Sequence, residues 1–489
     1  MKDLVMGIDI GTTAIKVIVL EVFSKEKVST VVIKSIPHDL ISSHPNWAEE
    51  SADVWREHLY QILKEISGEY DLTTLKAIGM TGMVPALVCL DEDFKPIRNS
   101  IQQNDMRTSK EIEELKCVFE RDDKYFSLTG SHINSQHIAP RLLWLKRNES
   151  ESFKRIKYIL GSYDYGAYLL CGAIGVEANW ALESGLFTLS KEKLKELINY
   201  LEIDESIIPP VRDSSSLCGT VTKEVSLLTG IPEGVKVYAG TADHVASAFC
   251  TGALEHGDLV LKLGGAGDIL ISLDHLITDD RLFIDYFVSS SCPYILNGCT
   301  AASGSLLKWF SREFSGSFAE LDKEAERINA GSDGLVVLPY VLGEKTPIFD
   351  PNAKGVIYGL LLSHTKAHIY RAFMEAVAYA FRHHVEVFKE NGIEVNNVYI
   401  TNGGSTSPLW RQIMADVLGV KVNYIKTNPG SCLGAAFIAA IADGLCNEAI
   451  VKDFTSQKIP SYPNEDNKEI YDSSYHIYRE LYPRLKDLF

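Results

Sequence analysis

The chain has 489 residues, 46% of them hydrophobic, nine cysteines and a formal net charge of −17. This length provides for two or three domains with ample core, and the acidic balance excludes nucleic acid or an anionic membrane as main partner, because phosphate backbones need a basic footprint. No C-x-x-C pair, no apolar leader and no uncharged apolar run of about 18 residues occurs, so a soluble protein of the reduced cytoplasm is expected, without a disulfide framework or zinc site.

The first predicted element is a hairpin, MGIDI (6–10) and AIKVIVL (14–20) about a turn of Gly11, Thr12 and Thr13. On its own this is an ordinary turn with Asp9 on a solvated face. Strand-like VSTVVIKSI (28–36), an amphipathic helix at SADVWREHLYQILKEIS (51–67), and strand-like LKAIGMTG (75–82) and ALVCLD (86–91) follow. VKVYAGTADHVASAF (235–249) reads as a strand, a glycine turn and a helix opening at Asp243, locally an N-cap. LVLKLGGAGDILIS (259–272) then repeats the form of the first hairpin, with Gly264, Gly265, Ala266 and Gly267 at its tip. Strand-like DGLVVLPY (333–340), a long helix at 367–392 closed by Gly392, and strands in VNNVYITNGG (395–404) and VKVNYI (420–425) complete the pattern.

Strands alternating with helices define an α/β class. A hairpin repeated just past mid-chain predicts a duplicated α/β domain with a cleft between the copies and the tips facing each other across it. Consecutive Gly and Thr N–H groups make an anion-binding concavity, so each tip is a candidate phosphate site. The usual nucleotide signatures, G-x-x-x-x-G-K-[ST] and G-x-G-x-x-G, are missing, which leaves the hairpin type.

GIDIGTTAIK (7–16) resembles the first phosphate hairpin of the actin-like ATPase superfamily. The segments 338–384, containing GEKTP, TNGGSTSPLWRQIMADVLGVKV (401–422) and SCLGAAFIAAIADG (431–444) are very similar to carboxy-terminal motifs of the FGGY carbohydrate kinases, and most similar to its xylulose kinases. The resemblance implies two duplicated actin-like, ribonuclease H-like α/β domains with a central catalytic cleft: residues 1–246 binding sugar and 247–489 binding nucleotide. It implies ATP-dependent phosphorylation of a small sugar or polyol at a terminal hydroxyl, a ketopentose foremost, with Mg²⁺; a homodimer is what the family suggests.

Carried over residue by residue, the resemblance gives Asp9 to Mg²⁺, usually through water, and Gly11, Thr12, Thr13 and Lys16 to the β- and γ-phosphates, with Gly264 and Gly265 at the second hairpin. One carboxylate beside a phosphate tip suffices for Mg²⁺, which keeps waters and phosphate oxygens. Asp243 falls where the family places the base for the attacking hydroxyl. Gly304, Lys308, Gly403, Gly404 and Ser405 fall at the nucleotide; Gly434 either lets its helix approach that pocket or makes an ordinary helix contact. Glu375 reads as structural, and adjacent His383 and His384 point to different sides of a helix.

Sugar contacts are expected from Met83, Gln103, Asp105, Arg107 and His244. Here the chain departs from the xylulose kinase pattern: Met83–Ala86 replaces Gln-Met-His-Gly, Gln103 replaces a Trp, His244 replaces an Asn or Gln, and Gly265 replaces a Thr. Each polar partner of a hydroxyl discriminates by about 1–3 kcal/mol, so a substrate smaller than, or configured differently from, D-xylulose is expected. Two other classes share features of the sequence. A non-metabolic actin-like ATPase should lack GEKTP and the long helix. A sugar-binding relative without turnover fits the substitutions but not the retained Asp9, Thr12 and Asp243.

Overall fold

The computed structural model describes residues 2–426 and 430–489. Among them no helix is long and apolar enough to cross a membrane. The chain divides into two compact units: Met1–Gly252 with Asp285–Ser289 and Pro429–Phe454, and Ala253–Ile284 with Ser290–Asn428 and Thr455–Phe489.

The first unit is built on six strands: β1 (Asp3–Ile10), β2 (Ala14–Ser24), β3 (Lys27–Pro37), β4 (Leu75–Gly82), β5 (Leu217–Thr220) and β6 (Lys236–Ala242). Their order is β5-β6-β4-β1-β2-β3. β1, β2 and β3 form an antiparallel meander, β4 and β6 add parallel to β1, and β5 closes the far edge antiparallel. The apolar run of β1 is buried almost throughout, as a central strand covered on both faces requires, whereas β3 is an edge whose residues mostly remain accessible. The helix Ala52–Glu69 is capped by Ser51, whose side chain accepts from the Val54 N–H, and it buries Trp55, Leu59, Ile62, Leu63 and Ile66 at helical spacing.

The second sheet has seven strands, and six of them repeat this plan: β7 (Leu259–Leu263), β8 (Gly267–Leu273), β9 (Tyr294–Thr300), β10 (Val398–Thr401), β11 (Val422–Ile425) and β12 (Lys458–Ser461), in the order β9-β8-β7-β10-β11-β12, with the short strand Phe283–Tyr286 added beyond β9. Again three strands meander, two add in parallel and one closes antiparallel. The duplication expected from one repeated hairpin therefore extends to six strands of each sheet. Two apolar runs lie outside them: Val88–Leu90 pairs with Tyr158–Leu160, and Val336–Leu338 with Val356–Tyr358, as separate ladders. In the helix Lys366–Glu390, Glu375 is structural as expected: it accepts from Gly331 N (3.0 Å), Ser332 Oγ (2.8 Å), Arg371 Nε (2.9 Å) and Tyr471 Oη (3.2 Å).

In the first unit the helix Ser431–Ala442, apolar around its circumference and rich in Ala and Gly, lies against β1 and β4 at unusually short range. A Cβ on Gly7 would come 1.9 Å from the Cys432 carbonyl oxygen, and one on Gly79 2.0 Å from that of Ala435. On another side Gly434 meets the Ala246 backbone, where a Cβ would lie 2.0 Å from the carbonyl oxygen. Gly434 thus serves a helix contact beside Asp243, not the nucleotide pocket.

Gly79→Ala should lower unfolding free energy by about 3 kcal/mol or more, since backbone cannot yield as a flexible side chain does. Gly68→Ala, on an exposed helix position where a Cβ meets nothing within 4 Å, should instead stabilise by roughly 0.5–1 kcal/mol. Urea midpoints of the two variants against the parent check both signs.

Candidate active site

Asp9 stands near the end of β1, opposite Lys16 on β2 and beside Thr81 on β4. It is 9% exposed, and its Oδ2 accepts from Ser431 Oγ at 2.6 Å. The turn that follows closes through Gly11 N–H to Ala14 O (3.2 Å), leaving Thr13 exposed and Gly11, Thr12 and Lys16 partly accessible. His38 braces this turn from the end of β3. Its backbone N–H donates to Thr13 O (3.0 Å), and its Nε2 lies 2.9 Å from Gly11 O and 3.1 Å from Glu50 Oε2. Neither His38 nor Ser431 carried a sequence signal, because each acts from an element remote in the chain.

β6 delivers Asp243. The cap position falls on Ala242, so Asp243 is the first helical residue and not the N-cap that its local sequence predicts. Its side chain is 36% exposed. The strand end behind it is tightly pinned. Thr81 Oγ1 donates to Thr241 O (2.6 Å), and Asn179 Nδ2 donates to Thr241 Oγ1 (2.8 Å). Asn179 also exchanges two hydrogen bonds with the Tyr286 backbone: Tyr286 N–H donates to Oδ1 (2.7 Å) and Nδ2 to Tyr286 O (3.0 Å). Buried Glu177 gathers Tyr163 Oη (2.8 Å), Ser214 Oγ (2.7 Å) and Asn179 N–H (2.9 Å). Burial pushes its carboxyl up to about 7 against these bonds.

Next to Asp243, His244 is ringed by carboxylates. Its Nε2 lies 3.1 Å from Asp285 Oδ2 and 3.9 Å from Glu183 Oε1, and its Nδ1 lies 3.6 Å from Asp243 Oδ1. Burial disfavours the charged ring, but Asp285, Asp243 and Glu183 outweigh it and hold the imidazole well above the usual histidine range. Burial, then Asp285, raises Glu183 well above the usual carboxylate range. Glu183 and Asp285 are functional candidates that sequence reasoning missed.

Three sugar-contact expectations give way to other roles. Met83 is fully buried, with its Sδ 3.8 Å from Thr12 Oγ1, so it packs beneath the turn at 11–13. Asp105 accepts from Ala48 N–H (2.7 Å), Arg107 N–H (3.0 Å), Arg107 Nε (2.8 Å) and Arg107 Nη2 (2.7 Å), which leaves no lone pair or surface for a sugar hydroxyl. Arg107 also pairs with Glu49 (2.7 Å) and stacks 3.8 Å over Trp47. Both side chains are essentially inaccessible, so they form a strut between the segments 46–50 and 100–107. Gln103 remains partly accessible.

The second unit holds a pocket of about 990 Å³ lined by Gly264, Gly265, Gly304, Lys308, Gly403 and Gly404, with Tyr370 and Trp410 among its walls. The hairpin tip is docked on the helix Gly304–Glu313: Gly304 N–H donates to Gly264 O (2.8 Å), and Ser303 and Ser305 N–H to Gly265 O (2.8 and 3.0 Å). A Cβ at Gly304 would lie 2.6 Å from Gly264 O, whereas Gly265 and Gly403 face open space. Ser407 caps the helix Pro408–Leu418, its side chain accepting from the Trp410 N–H. Ser405, expected at the nucleotide, is buried, its Oγ donating to Asn402 O (2.6 Å); Thr406 and Ser407 line the pocket in its place.

Two glycine-tipped hairpins on sheets of one topology are the architecture of sugar kinases in the actin-like fold, and the comparisons agree. The chain matches the N-terminal domain of the FGGY family of carbohydrate kinases over residues 4–250 and its C-terminal domain over 284–442, and it belongs to that family. It is 30% identical to the xylulose kinase of Bacillus subtilis (strain 168), covering 99% of this chain and 97% of that one. The crystal structure of xylulose kinase from Rhodospirillum rubrum superposes with a TM-score of 0.91 at 38% identity, covering 99% of each chain. That of Plasmodium falciparum glycerol kinase with ADP has the same fold, with a TM-score of 0.88 at 19% identity over 98% of each chain.

Arg107→Ala should destabilise the protein by about 3–5 kcal/mol, because it strands the buried Asp105 carboxylate. A urea titration that finds a loss under about 1 kcal/mol, with a raised KM for sugar, would return Arg107 to a direct contact.

Proposed function

We propose that the protein transfers the γ-phosphoryl group of ATP to a terminal hydroxyl of a ketopentose or a related four- to five-carbon polyol. The observation that carries this reading is Asp243, an accessible carboxylate whose supporting strand end is pinned by Thr81 and Asn179. Asp243 takes the hydroxyl's proton; in a loose phosphoryl-transfer transition state its main work is to hold that oxygen in line. The open positions at Gly265 and Gly403 and the pocket volume suit a nucleotide, held by Gly264, Gly304, Lys308 and Gly404. Asp9, a single carboxylate supported by a hydroxyl, suits Mg²⁺, with Gly11, Thr12, Thr13 and Lys16 toward the phosphates. When bound, ATP and Mg²⁺ supply the phosphoryl group and the neutralisation of its charge. The roles of residues 1–246 in sugar binding and 247–489 in nucleotide binding, a homodimer and a cytoplasmic location belong to the same proposal.

Asp243→Asn should fold as the parent does, since no helix cap depends on the carboxylate. Its kcat should fall by on the order of a hundredfold or more. ADP release within about threefold of the parent would remove the base from this reading.

The acceptor follows from Gln103 and His244, both polar and accessible where the xylulose kinase pattern has Trp and Asn or Gln. A longer residue beside the reacting hydroxyl and an amide in place of an indole favour a smaller or differently configured acceptor. In competition with ATP and Mg²⁺ among D-xylulose, L-ribulose, L-xylulose, erythritol and glycerol, D-xylulose should not lead. A lead of about tenfold or more in kcat/KM, roughly 1.4 kcal/mol, would make the two substitutions neutral.

A further inference from the structure

We infer that His244 is a positioning residue for the base: an imidazolium bridging Asp285 and Asp243 that engages one oxygen of Asp243 and leaves the other to the sugar. The inference rests on the reading of Asp243 as the base. Its ground is geometric. The ring presents Nε2 to Asp285 Oδ2 at 3.1 Å, a hydrogen bond, and Nδ1 to Asp243 Oδ1 at 3.6 Å, an ion-pair separation just beyond one, so that one carboxylate faces each nitrogen. A neutral imidazole carries one N–H and leaves its other nitrogen as an acceptor facing an acceptor; only the doubly protonated ring serves both. Asp285 is the anchor, its side chain wholly buried and the adjoining Tyr286 backbone held on both sides by Asn179. Asn179 also holds Thr241, two residues before Asp243, so anchor and base hang from one buried amide. Glu183, 3.9 Å from Nε2, completes the set of charged groups facing the ring.

In the transfer step the sugar oxygen forms its bond to the γ-phosphorus and the bond from that phosphorus to the β,γ-bridging oxygen breaks, releasing ADP. The hydroxyl proton passes to Asp243 Oδ2. His244 gains and loses no proton. An Asn or Gln amide carries no charge and has both of its N–H donors on one nitrogen, so it cannot donate to two carboxylates from opposite ends as this ring does.

The test uses the full chain. His244→Ala should lower kcat by about tenfold or more while KM for ATP stays within about twofold, the split expected when a group orients chemistry without binding nucleotide. Added imidazole should restore activity to His244→Ala, and more at about pH 6 than at about pH 8.5, because the cation is the active form. Activity of His244→Ala within about threefold of the parent, or rescue equal at both pH values, overturns the inference. If Asp243→Asn is inactive while His244→Ala is fully active, the base stands and the positioning role falls. A second measurement needs only the parent protein. Its His244 ring signal, assigned by its absence from His244→Gln, should keep the doubly protonated shift from about pH 6 to 8.5, and titration near the ordinary value of about 6.5 overturns the bridge.

Discussion

The seat of the helix Ser431–Ala442 on β1 and β4 governs the first unit. Gly7 and Gly79 let backbone meet backbone there, at distances no Cβ permits. Dispersion and exclusion of water across such a contact are strong because nothing intervenes, and the geometry has no slack. The same seat delivers Ser431 to Asp9 and Gly434 to the helix that Asp243 opens. Both carboxylates of the proposed chemistry are therefore referenced to one short apolar helix that arrives from far along the chain. Gly240 is tighter still, at a positive φ and with a Cβ that would lie 1.5 Å from Met80 O on the neighbouring strand.

A second constraint is the buried polar network of Glu177, Asn179 and Thr241. Buried polar groups are costly unless satisfied, and here each meets a partner of fixed direction. Satisfied networks of this kind rigidify, which suits a strand end that carries the proposed base, Asp243. Arg107 and Asp105 do comparable work elsewhere in the unit, with the guanidinium forked onto one carboxylate and stacked on Trp47. Their burial explains why a motif associated with sugar sites need not touch sugar.

Much of the fold was legible in the sequence. The hairpin tips, the α/β alternation and the long helix at 366–390 come from periodicity and turn chemistry, which act over a few residues. Short apolar runs such as 88–90 and 336–338 were less so, since a strand's propensity does not say which sheet it joins. Asp243 illustrates a one-residue limit: a strand running through Ala242 moves the cap and changes what the carboxylate is free to do.

The sequence by itself determined the class of the protein and the repeated hairpins, and it singled out Asp9, Asp243 and the pocket glycines as candidates, because these rest on local backbone requirements and on motifs contiguous in the chain. Only the tertiary structure decided that Ser405, Met83 and Asp105 and the Arg107 side chain are buried and that Glu183 and Asp285 attend His244. The physical reason is burial and direction. Whether a carboxylate meets solvent, a guanidinium or a neighbouring imidazole depends on segments separated by tens to hundreds of residues, and no spacing along one strand or helix encodes that encounter.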